Sequence, residues 1–240
     1  MTTSKSGDFL VDSYPPATIV TATTPRWDFM ASQRDVITLI RIHDEQTGGA
    51  KGRPPQDLEA LKRSALILAV TAWESFVEDT VEEGLTKALD AATVPTDLQS
   101  AFNYVAEEWL DPERSGKRHG PDLIKWTGDQ WKLRIRESLA TELQTFHTPN
   151  SDNTNKLFKR FLGVPIRDGW HWKAMNAKQA QTKLDALIKL RGSAVHQGKT
   201  LFTKQKSPTI KRAAVVDAMN HLYRLVCASE KTLGVGPTTK

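Results

Sequence analysis

The sequence predicts an all-α protein: two helices, a mostly helical insertion, then two more helices, packed as a bundle. Three observations carry this. The stretch DLEALKRSALILAVTAWESFVEDTVEEGLTKAL repeats apolar residues at three- and four-residue steps over roughly eight helical turns. No alternating run in the chain is long enough for a sheet. The breakers between periodic segments (Gly48 with Gly49, Pro54 with Pro55, Gly163 with Pro165, Gly198) fall where helices should stop.

Each element follows in order. Residues 1–25, rich in Thr, Ser and Pro without a sustained period, are expected to form an extended or disordered arm. Residues 26–240 are expected to form one helical domain, with the insertion at about 90–175. From Trp27 the pattern becomes helical, with Met30, Val36, Leu39, Ile40 and Ile42 expected largely on one side. After the loop GGAKGRPP comes the long helix, with Leu66, Val70, Trp73, Val77, Val81 and Leu85 inward. Glu74, Glu78 and Glu82 run alongside and are expected to face water, with Glu74 nearest the apolar edge.

In the insertion, SAFNYVAEEWL reads as a helix and ERSGKRHGPD as a basic loop. A further helix spaces Trp131, Ile135, Leu139 and Leu143 by four, and another carries Leu157, Phe158, Phe161 and Leu162 before Gly163. RDGWHW reads as a compact aromatic loop, whose Trp170, His171 and Trp172 can either stack bases or plug the end of a bundle. Asn176 is the expected cap of the next helix, which should end at Gly198. A basic connector, KTLFTKQKSP, leads to a last helix over about Thr209–Leu233, aligning Ala213, Val216, Met219, Leu222 or Tyr223, and Val226.

Composition excludes several classes. The 39% hydrophobic and 25% charged content is ordinary for a globular protein. The formal charge of +5 is mild, but from Arg191 onward nine Lys and Arg face only two Asp and Glu. That basic quarter suits a polyanion or a solvated surface. Cys227 is the only cysteine, so no intrachain disulfide forms and no cysteine-based metal site is expected. The start lacks the apolar core of a signal peptide, and no stretch approaches a membrane span, so no membrane partner is expected and the reading is cytoplasmic. His43, His119, His147 and His221 show no metal-ligand spacing. No glycine-rich phosphate loop and no Gly-x-Ser-x-Gly elbow occurs. No cofactor is expected.

The remaining motif is LIKLRGSAVHQGK, Leu187–Lys199. Five residues turn a helix by about 140° net, so Arg191 and His196 flank one apolar strip, with Val195, Ile188 and Gly192 between them. Arg191 continues the line of Leu184, Leu187 and Ile188, where a purely structural helix would carry another aliphatic. Gly192 costs about 1 kcal/mol relative to Ala in a helix interior, which points to a close approach there. His196, in the last turn, can act in proton transfer or simply bond a terminal carbonyl.

The phrase LDALIKLRGSAVHQGK resembles the Arg-x4-His signature of the HEPN superfamily, and LKRSALILAVTAWESFVEDTV is similar to that family's earlier core helix. NKLFKRFLGV and the helix after the motif suit its RiboL-PSP-HEPN branch. The resemblance covers about residues 55–233. It implies a HEPN-like four-helix core and a homodimer whose motif helices build a shared, metal-independent RNase site. Arg191 and His196 match the two catalytic positions, whereas Gly192 stands where the family usually has Asn, Asp or His. Ser193 belongs to the same motif, Glu74 can orient Arg191, and Lys189, Lys199, Lys204 and Lys206 can steer RNA phosphates or lie idle at the surface. A toxin or antiviral defence role, with a neutralising protein partner, is what the resemblance implies for the biology. The rival reading is a non-catalytic HEPN-like module that binds RNA, a nucleotide or a protein; a plain helical scaffold is the third.

Overall fold

The structure is a computed structural model that describes residues 23–48, 58–110, 126–196 and 209–235, with Leu110 and His196 described by their backbone alone. Seven α-helices are described: α1 (Thr24–Thr47), α2 (Glu59–Ala91), α3 (Gln99–Leu110), α4 (Gln130–Gln144), α5 (Ser151–Leu162), α6 (Ala177–His196) and α7 (Arg212–Leu233). Short 3-10 turns cover Pro95–Leu98 and Ile166–Gly169, and the described residues contain no named strand. The fold is all-α. The chain divides into two compact units, Met1–Phe76 with Arg167–Lys240, and Val77–Ile166.

The first unit holds α1, the first half of α2, α6 and α7, with α6 and α1 both packed on α7. Leu66, Val70 and Trp73 of α2 are fully buried, as their spacing requires. On α1 the inward strip differs from the expected one. Phe29, Met30, Gln33, Val36, Ile40 and His43 are buried, Leu39 is half-buried, and Ile42 is exposed. Counting about 100° per residue from Ile40, Phe29, Gln33 and Val36 fall close to it, whereas Ile42 lies about 200° away. The helix opens on Thr23, whose hydroxyl accepts from the Arg26 N–H. It closes at Gly48, in the left-handed region at φ 54°.

α6 begins as expected. The Asn176 side chain accepts from the Gln179 N–H at 2.9 Å, and the Gln179 side chain returns a bond to the Asn176 N–H at 3.0 Å. Its expected stop at Gly198 lies outside the described residues, as do residues 1–22 of the arm expected over 1–25, most of the loop GGAKGRPP, and all of the basic loop ERSGKRHGPD and the connector KTLFTKQKSP. The end of the expected arm is instead helical, since α1 already starts at Thr24. α7 starts at Arg212 rather than Thr209 and buries Val215, Val216, Met219, Leu222 and Val226. Ala213 is exposed and Tyr223 half-buried, so Leu222 is the inward residue of that pair.

Of the aromatic loop, Trp170 packs inward, Trp172 is half-buried and His171 is exposed. Trp170 is fully buried, its ring edge-on to Trp73 at 5.8 Å, and its indole N–H donates to Ser229 Oγ at 2.9 Å. Gly169 permits this: a Cβ there would sit 1.8 Å from Thr232 Oγ1. A second anchor joins the helix ends. Arg26 pairs with Glu230 at 2.9 Å and donates to the Tyr223 hydroxyl at 2.7 Å, while Arg212 pairs with Asp44 at 2.9 Å.

The second unit holds the rest of α2 with α3, α4 and α5, where α3 packs on both α4 and α5. Val77, Val81, Leu85, Trp131, Ile135, Leu139, Leu157, Phe158 and Phe161 are buried, as their spacing predicts. Leu143 and Leu162 are half-buried at the edge. α5 is capped by Asn150, whose side chain accepts from the Asn153 N–H at 2.8 Å, and stops at Gly163, φ 71°.

Candidate active site

The inward face of α6 carries Ala180, Leu184, Leu187, Ile188 and Ala194, all buried. By helical register Arg191 stands in the middle of this face, not at its edge. A guanidinium at such a position must reach out or find a carboxylate. It does both: the Arg191 side chain keeps 26% of its exposure, and Nη2 lies 3.5 Å from Oε2 of Glu74. Glu74 belongs to the first half of α2 and is itself only 12% exposed. Of the acidic row expected to face water, Glu82 is exposed, whereas Glu74 and Glu78 are half-buried. The 3.5 Å separation is at the long limit of a hydrogen bond.

Beyond Arg191 the helix face opens. Val195 is 51% exposed, although it was expected within the apolar strip. The close approach expected at Gly192 is not made among the described residues: apart from its own helix backbone, none of their atoms would come within 4 Å of a Cβ there. The glycine whose missing side chain the fold does use is Gly169. Ser193 is exposed and its hydroxyl donates back to the Lys189 carbonyl at 3.1 Å, which occupies its only proton. Lys189 is exposed. His196 is the last residue of α6, and its register position falls on the same outward side as Gly192, Lys189 and Ser193. The side chain of His196 lies outside the described residues, and so do Lys199, Lys204 and Lys206. Arg191 and Glu74 are thus brought together, with Gly192 and Val195 as open ground beside them.

Two other titratable groups of this unit are tied up elsewhere. His221 is buried, its Nε2 donates to the Ala180 carbonyl at 3.1 Å, and burial, followed by the Lys183 charge, lowers its pKa to about 4. It is a neutral core imidazole. Burial pushes the Cys227 thiol up, away from nucleophilic duty. Among the described residues no group of three or more His, Cys, Asp or Glu is placed to hold a metal ion, and no helix is long and apolar enough to cross a membrane.

The model of one protein family, RiboL-PSP-HEPN, matches residues 32–233. The chain belongs to that family. Comparison with the curated proteins and with the solved structures gave no match. The RiboL-PSP-HEPN match runs from within α1 to the end of α7, so it includes both Glu74 and the whole Arg-x4-His segment, Arg191 to His196. Two features were not foreseen from the sequence: the Arg26–Glu230–Tyr223 anchor, which starts outside the family match, and a polar cleft in the second unit between α4 and α5. The one sequence signal that could have found the cleft is the spacing of Lys156 and Arg160 on α5.

Proposed function

We propose that this RiboL-PSP-HEPN chain is a metal-independent endoribonuclease acting as a homodimer, with Arg191 and His196 as its catalytic residues. One observation carries the reading. α6 places a guanidinium where the bundle would take an aliphatic, holds it against Glu74, and leaves the next turn uncovered at Gly192 and Val195. A second copy set against the uncovered turn would bring two arginines and two histidines around one phosphate, because the two positions splay by about 140° on each helix. The insertion expected at about 90–175 corresponds, on this reading, to the compact unit Val77–Ile166.

The chemistry follows from the groups. His196 takes the proton of a ribose 2′-hydroxyl as that oxygen attacks the adjacent phosphorus. The bond to the 5′-oxygen breaks and that oxygen takes up a proton, leaving a 2′,3′-cyclic phosphate and a 5′-hydroxyl. Arg191 stabilises the added charge of the pentacoordinate transition state. Glu74 positions Arg191. A toxin or defence role in the cytoplasm, with a neutralising protein partner, is the biological setting we infer from the family.

The test is cleavage of single-stranded RNA by wild type, Arg191→Ala and His196→Ala, with chain ends identified and a chelator present. Each substitution should lower the rate by a factor on the order of 10²–10³ without changing the melting temperature appreciably. Glu74→Gln should keep the fold and lower the rate less. Products with 3′-hydroxyl ends would remove the mechanism. Intact RNA that nevertheless binds to wild type would favour the non-catalytic module, for which Gly192 in place of a polar residue is the motivating feature.

A further inference from the structure

We propose that the second unit carries a phosphate-binding cleft of its own, taking a phosphate group from an RNA strand or from a free mononucleotide. This does not depend on the nuclease reading. The cleft encloses about 220 Å³ between the end of α4 and one face of α5. Asn153, Lys156 and Arg160 all line it, spaced by three and four residues so that they share a helix face, and Glu142, Thr145 and Thr148 close the opposite side.

The charge in the cleft is arranged rather than scattered. Glu142 Oε1 accepts from both Arg160 Nη1 and the Tyr104 hydroxyl, and the Arg160 guanidinium lies 4.6 Å over the Tyr104 ring. Burial, with the bond to Glu142, raises the Tyr104 pKa, so the phenol stays a donor. The carboxylate is therefore answered within the wall. Lys156, exposed at the mouth, adds a positive charge that no described carboxylate pairs.

The wall is also built before any ligand arrives. The Asn153 side chain donates to the Thr148 carbonyl at 3.0 Å, and the Asn150 N–H returns to the same carbonyl at 2.9 Å. Pro149 is buried between them. A cleft pre-set in this way loses little entropy on binding a small anion. Its volume suits a phosphate with its ribose. The apolar lining, Phe146 and Leu157, is buried and offers no open aromatic face for stacking a base, so recognition should be indifferent to sequence.

The experiment uses the full chain and three probes: inorganic phosphate, adenosine monophosphate, and a single-stranded DNA oligomer that lacks the 2′-hydroxyl and so cannot be cleaved by the proposed mechanism. Binding is followed at the backbone amide resonances of Thr145–Lys156. Saturable shifts there in wild type, weakened roughly tenfold or more by Lys156→Glu and kept by Lys156→Arg, are expected. Shifts with phosphate and the mononucleotide would assign a free ligand; shifts with the oligomer alone would assign a nucleic-acid strand. The Lys156 side chain is exposed, so its replacement should leave the melting temperature unchanged. No shift at these amides with any probe, or equal affinity in Lys156→Glu, overturns the proposal.

Discussion

Two arginine–carboxylate pairs in the first unit are built to different specifications. Arg26 and Glu230 meet at 2.9 Å with side chains 6% and 1% exposed, and Tyr223 and Thr23 take up further bonds around them. Arg191 and Glu74 meet at 3.5 Å, 26% and 12% exposed, beside an uncovered helical turn. The first pair is closed on all sides and can do nothing but join α1 to α7. The second keeps a guanidinium oriented and still within reach of solvent. Geometry, not residue type, separates the structural pair from the candidate catalytic one.

The largest effect should come from breaking the closed pair. Arg26→Ala leaves the Glu230 carboxylate buried without its counter-charge, and the expected cost is about 3–5 kcal/mol of unfolding free energy. The double replacement Arg26→Met with Glu230→Leu should recover much of that loss, since buried ion pairs are often matched by apolar substitutes. Chemical denaturation of the three proteins checks both statements. If Arg26→Ala cost no more than Arg191→Ala, the contrast between the two pairs would collapse.

A smaller effect comes from acid, again at the closed side of the unit. His221 is held neutral against Ala180, with a pKa lowered from 6.5 to about 4 by burial and then by Lys183. Asp217 and Arg224 also face it, and Trp172 lies 5.6 Å away. The unfolded chain takes up this proton as pH falls through about 6.5, whereas the folded chain resists until about 4. Stability contributed by the neutral imidazole is therefore complete above pH 6.5 and lost on descending to about 4, by up to roughly 3 kcal/mol. The measurement is the unfolding free energy of wild type and His221→Gln across that window. Gln can still donate to the carbonyl but cannot titrate, so its profile should be flatter; parallel profiles would show that His221 is not the group responsible.

The same contrast explains what was legible in the sequence. Local chemistry was readable: the stripe from Leu66 to Leu85, the Asn176 cap with its Gln179 partner, and the stops at Gly48 and Gly163 all rest on residues within a few positions of one another. Arg191 was readable as a misfit because its neighbours at helical spacing are aliphatic. Arg26 was not, since its partner lies 204 positions away and nothing in a periodic pattern says which distant carboxylate a helix end will meet. On α1, Ile42 has the same chemistry as Ile40, and only the packing of the other helices chooses between them. The cleft on α5 needed the fold of the turn at 145–150 as well as the spacing of its cations.

Glycine offers the subtlest test, because the first unit treats two of its glycines in opposite ways. Gly169 is fixed by Thr232, and a Cβ there would collide at 1.8 Å. Gly192 meets no described atom within 4 Å, so within one chain Gly192→Ala should stabilise α6 by about 0.5–1 kcal/mol, through the lower backbone entropy of the unfolded state. If a second copy seats its backbone on this turn, the added methyl group should also weaken self-association. Denaturation below the dimer's dissociation range and sedimentation velocity above it separate the two effects. A variant both more stable and less dimeric is the expected result. One that is more stable and equally dimeric would place the subunit contact away from Gly192 and leave the open turn beside Arg191 for the nucleic acid alone.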